Sequence, residues 1–174
     1  MTDEMGTPPH WTEPEALGER FIVALQELGK GNYETGVKEL QSILKVEPRL
    51  AEPHMELARF FLETSELDTA QTHAVQAVQV LESGGQWNQD VPVGVMKSLA
   101  YDILGECHRR HAEEDENLFG ERETFEHHIT AAKLAFLRAL QLDPSNEHAR
   151  SWSIGLGPVN SDEESDDADS EADD

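Results

Sequence analysis

The chain has 174 residues, and its 36 Asp and Glu against 13 Lys and Arg give a formal charge of -23. A surface this acidic is not built to neutralise nucleic-acid phosphates or anionic lipid, and no run of 18 apolar residues offers a membrane span. A single cysteine, Cys107, excludes an intramolecular disulfide and a Cys-rich zinc site; with no basic and apolar leader at the N-terminus, the expected compartment is a reducing cytoplasm.

Residues 1–11 read as a flexible lead, since Thr7, Pro8 and Pro9 break regular structure. The periodicity from there to residue 155 is helical, with proline only at segment edges. The first helix is expected from Thr12, capped with Glu15, with Leu17, Phe21, Leu25 and Leu28 on its apolar face and Gly29 and Gly31 as its stop. A second is expected over Asn32–Val46, ended by Pro48, and a third over Ala51–Glu63. The fourth is expected to open at Ser65, with Asp68 completing a cap pair, and to reach Leu81. A Gly-rich connection follows, with Asp90 as a cap before Pro92, and leads into a long fifth helix from Val93 to about Asp115. The sixth spans Glu123–Leu142 and is stopped by Asp143 and Pro144; Ser145 would cap a short seventh helix ending before Gly155. Residues 156–174 read as a disordered acidic tail, because residues 161–174 hold nine carboxylates and no Lys or Arg. The first 160 residues carry 27 acids and 13 bases, so the helical part is acidic by itself.

Self-similarity is the strongest signal. A shift of 34 residues lays Phe21 on Met55, Ala24 on Ala58, Leu28 on Leu62, Gly31 on Ser65, Tyr33 on Leu67 and Gly36 on Ala70. Short side chains at Ala24, Ala58, Gly36, Ala70 and Ala77 have a steric reason, since helices approach closely only where side chains are small.

This pattern resembles the tetratricopeptide repeat family. The resemblance rests on Gly31, Asn32, Tyr33 and Pro48 in the first unit, and on Leu57, Ala58, Phe61, Ala70 and Ala77 in the second. In the third it rests on Tyr101, Leu104 and Gly105, then Ala132, Phe136, Ala139, Leu140, Asp143 and Pro144. It implies an all-α, right-handed solenoid of three helix-turn-helix repeats, at about 17–50, 51–84 and 95–146, with a short C-terminal capping helix. The third unit departs from the family spacing: Leu57 to Leu104 spans 47 residues and Ala70 to Ala132 spans 62, so this hairpin should be elongated.

The family's role is protein–protein recognition on a concave face. By matching positions, the resemblance assigns that groove to Phe21, Ile22, Leu25 and Leu28, then Met55, Glu56, Arg59, Leu62 and Glu63. The third unit would add Leu99, Asp102, Ile103, Glu106, Arg109 and Arg110. Chaperone-binding members grip a C-terminal carboxylate with Lys, Arg and Asn at positions held here by Phe21, Leu25, Glu56, Leu99 and Ile103; none of these is a cation, so that clamp is absent. So apolar a face needs covering by the N-terminal segment, a partner or a second copy.

The expected role is a non-catalytic adaptor or assembly scaffold, with no cofactor. Its partner would be a protein or peptide with apolar anchors flanked by Lys or Arg. One alternative is a small chaperone for a basic or aggregation-prone client, as in secretion-system chaperones, with the acidic tail shielding the client. Another is metal binding through the Cys107, His108, His111, His127 and His128 region, where Cys107 and His111 lie four apart on one helix face. Against it, Arg109 and Arg110 put positive charge beside the would-be ligands. A catalytic Cys107 lacks oxyanion donors in a helix interior. Trp11, Trp87 and Trp152 fall between or beyond repeats, where such residues cap open ends.

Overall fold

A computed structural model of the protein describes residues 13–85, 88–114 and 118–157. Every element among them is helical: α1 (Glu13–Gly29), α2 (Tyr33–Val46), α3 (Ala51–Glu63), α4 (Leu67–Glu82), α5 (Val93–Ala112), α6 (Arg122–Leu142) and α7 (Glu147–Gly155). Short turns pair α1 with α2 and α3 with α4, and α5 packs along α6. The pairs meet through α2 on α3 and α4 on α5, while α7 lies against α6 and touches α5. The expected elongation of the last hairpin is present: α5 and α6 run 20 and 21 residues, against 13 to 17 for the four helices before them. No helix among the described residues is long and apolar enough to cross a membrane.

The 34-residue offset is visible in the turns. Gly31 has φ +85° and Ser65 has φ +61°, and the hydrogen bonds around them match. Asn32 N–H donates to Glu27 C=O as Glu66 N–H donates to Phe61, and Gly31 N–H donates to Leu28 as Ser65 N–H donates to Leu62. These are Schellman closures, in which a left-handed residue turns the chain back onto the last free carbonyls. Gly84, φ +74°, closes α4 in the same way through the Gly85 N–H bond to Val80. Ser65 therefore ends α3 and does not begin α4, which corrects the expected Ser65–Asp68 cap pair. Glu66 precedes α4 with no side-chain cap bond, and Asp68 lies in the first turn.

Two other expected caps move. Asn146, not Ser145, caps α7 by accepting the Ala149 N–H at 3.0 Å, while Ser145 donates its hydroxyl to Asp143 at 2.6 Å. Asp90 donates its N–H to Asn88 Oδ1 at 2.9 Å, and Pro92 stands before α5. The fifth helix ends at Ala112, where the Glu113 N–H closes on Arg109 and Arg110. The Thr12–Glu15 cap pair, Trp11, Trp87, Asp115 and the acidic tail of residues 161–174 lie outside the described residues.

Small residues set the helix spacing. A Cβ on Gly36 would come within 2.6 Å of the Leu28 side chain, and one on Gly105 within 2.8 Å of the Phe136 ring. Both glycines let a large side chain of the paired helix press on bare backbone. Ala24, Ala58, Ala70 and Ala77 are wholly buried. One core cluster runs from α1 to α5, and a second joins Phe136 and Ala139 of α6 to Ala149 of α7, with Tyr101 and Trp152 packed against it.

Candidate functional site

A cavity of about 690 Å³ lies between α1, the start of α3 and the connection after α4. That is within the range of sites that hold a small molecule or a few side chains. Leu17, Phe21 and Ile22 of α1 face Leu50 and Pro53 across it, and Glu52, Asn88 and Gln89 add polar groups. Leu17 and Phe21 are four apart on one helical face; Ile22, the next residue, turns outward and is 56% exposed. Glu52 accepts the Asn88 N–H and so ties the connection to α3. The connection passes close behind: a Cβ on Gly85 would lie 3.1 Å from the Arg49 carbonyl.

The apolar groove residues expected on α1, α3 and α5 fall into three groups. Phe21 and Ile22 line the cavity. Leu25 and Leu28 are half-buried, with Leu28 pressed on Gly36. Met55 and Leu62 of α3, with Ile103 of α5, are core residues, each less than a tenth exposed. Periodicity identifies an apolar face, but neighbouring helices decide which half of it they cover. Leu17, Leu50, Pro53 and Asn88 also line the cavity though the resemblance assigns none of them to the groove; the Leu17–Phe21 spacing is the sequence signal for the first.

The charged members lie at the other end. Arg59 pairs with Glu56, its charge reaches Asp102, and Glu63 is exposed at the end of α3. Asp102 accepts from His148 Nδ1 at 2.9 Å, and burial raises its carboxyl above the usual carboxylate range in spite of that bond. Trp152 Nε1–H donates to His148 Nε2 at 3.2 Å. With Nε2 accepting from Trp152, Nδ1–H is the group that faces Asp102. Arg109 meets Glu106 through two bonds of 2.8 and 2.6 Å and also pairs with Glu113. Its guanidinium stands 4.1 Å from the Trp152 ring centroid. α7 thus covers part of the α5 face on which Asp102 and Arg109 lie; Arg110 is half-buried nearby.

The histidine cluster assembles as four rings. His108 Nδ1 is 3.2 Å from His128 Nδ1, and His111 stacks on His128 with centroids 5.0 Å apart. His127 stands edge-on to both His108 and His128. Burial, helped by the neighbouring imidazoles, pushes His108 down to about 4. Among the described residues, no group of three or more His, Cys, Asp or Glu side chains is placed to hold a metal ion. Cys107 is fully buried, and burial pushes its thiol up to about 12, with the Glu106 charge adding to the effect. At neutral pH it is a protonated packing residue.

One further pair gives no signal in the sequence. His54 of α3 and His73 of α4 place their Nδ1 atoms 3.0 Å apart. Compared with known proteins, the chain matches no protein-family model and no curated protein.

Proposed function

We propose that the protein is a non-catalytic adaptor or assembly scaffold, built as a right-handed solenoid of three helical hairpins and working in the cytoplasm. Its cavity between α1 and α3 receives a peptide or helix. The observation that carries this reading is the apolar lining of that cavity by Leu17, Phe21, Ile22, Leu50 and Pro53. Its partner carries large apolar anchors flanked by Lys or Arg, because Glu52 sits in the lining and the whole chain is strongly acidic.

Magnitudes support a modest affinity. Each Leu- or Phe-sized anchor contributes about 1.5–3 kcal/mol on burial, and association and side-chain ordering offset part of it. Two anchors give at most about 6 kcal/mol before those offsets, so binding is expected to be weaker than micromolar, with charge acting mainly on the rate of encounter. The buried, protonated Cys107 and the His148 ring held between Asp102 and Trp152 fit packing and bracing roles.

The test is a displayed library of short peptides selected on the full-length protein, followed by anisotropy measurements on the best binders. Selected sequences should pair apolar anchors with Lys or Arg. Ile22→Lys should weaken them about tenfold or more, equivalent to about 1.4 kcal/mol, without lowering the melting temperature, because Ile22 is largely exposed. Binders with acidic flanks, or affinity indifferent to Ile22→Lys, would contradict the reading.

A further inference from the structure

Six of the eight histidines lie in two clusters, and in each an imidazole of one helix meets an imidazole of the helix paired with it. The clusters differ in what surrounds them. In the third hairpin, carboxylates stand beside the cluster: Glu114 is 2.8 Å from His111 and Asp68 of α4 is 3.7 Å from it. At His54 and His73, among the described residues, no carboxylate pairs with either ring.

His54 lies near the start of α3 and is 8% exposed. Its ring centroid is 5.3 Å from that of His73 on α4, and Phe61 stacks flat on His73 at 5.9 Å. Around the pair, α3 contributes Phe61 and the turn before it contributes the Pro48 carbonyl. No charged side chain of α2, α4 or α5 acts on either ring. Pro48 has no N–H, so in its hydrogen bond with His54 the imidazole is the donor. When both rings are neutral, the Nδ1–H of one donates to the Nδ1 of the other across 3.0 Å. When both are protonated, each Nδ1 carries a hydrogen, and two N–H groups meet head to head between like charges.

We propose that the His54–His73 pair is an acid-sensitive latch, holding α3 to α4 when neutral and parting the two helices once both rings are protonated. Desolvation, together with the neighbouring imidazole, holds His54 down to about 4, and burial lowers His73 as well. The latch adjoins Pro53 and Glu52, so its release moves a wall of the cavity. It acts whether or not that cavity receives a peptide, and its test uses none.

The experiment is hydrogen exchange on the full-length protein between about pH 7 and 4.5, corrected for the intrinsic pH dependence of exchange. Amides of α3 and α4 should lose protection at least tenfold across that range, while α2 keeps its own. His73→Gln, which still offers an N–H to His54 but does not titrate, should hold α3 protection to within about twofold. Unchanged α3 protection in the wild-type protein, or equal losses in the variant, overturns the latch. Should His73→Gln not fold, the ring-proton signals of His54 and His73 in the wild-type protein decide. Midpoints well below the ordinary histidine value near 6.5 support the latch, and ordinary midpoints for both rings overturn it.

Discussion

The two ends of the molecule finish the same kind of helix face in different ways. At the α5–α7 end, Phe136 and Ala139 are closed over by Ala149, with Trp152 and Leu156 packed alongside. The polar groups there are paired: Arg109 with Glu106, and Trp152 through His148 to Asp102. At the α1–α3 end, Leu17, Phe21 and Ile22 border a cavity, and none of the described helices lies across it. A hairpin face that lacks its next neighbour must be covered or exposed. The short C-terminal helix supplies the cover at one end, whereas at the other Leu17 is buried and Ile22 beside it is 56% exposed.

Core substitutions should separate the ends most strongly. Phe136→Ala removes a fully buried ring and should cost about 3–5 kcal/mol in urea unfolding. Ile22→Ser, at the open end, should stay within about 0.5 kcal/mol. Comparable losses at both would mean that the α1 face is as fully packed as the α6 face.

Acid comes next. His54 and His108 are both held near 4, chiefly by burial, so as pH falls the unfolded chain takes up their protons first. Stability is therefore full above about 6.5 and declines from there towards 4, by on the order of 2 kcal/mol for each group. Urea midpoints measured across that interval check the sign; a midpoint that rises on acidification would refute it.

Smaller effects sharpen the picture. Trp152→Ala removes the ring beneath Arg109 and the donor to His148, and should lower stability in urea unfolding by about 1–2 kcal/mol. Ser65→Gly should raise stability by about 0.5–1 kcal/mol, because Ser65 holds φ +61°, where a Cβ is strained. A melting curve checks the second, and a loss of stability would show that the Ser65 side chain is needed in the turn.

Much of the helical plan was legible. The bounds of α3 follow from Pro48 and the apolar spacing, and the 34-residue shift reappears as matched turns at Gly31 and Ser65. The elongated last hairpin follows from the extra residues between Leu57 and Leu104 and between Ala70 and Ala132. What failed depended on tertiary register. Serine before a helix reads as an N-cap, and only the backbone shows Ser65 closing the helix before it. Met55 and Leu62 share the apolar pattern of Phe21 and Leu28, but the neighbours of α3 bury them. His54 and His73 are nineteen apart, and only the pairing of α3 with α4 brings them together.

The most direct measurement maps amide chemical shifts of the full-length protein on titration with a peptide carrying two apolar anchors between lysines. Saturable shifts centred on Leu17, Ile22 and Glu52, abolished by Ile22→Lys and sparing Trp152, are the expected result. Shifts centred on α7, or none around Ile22, would contradict it.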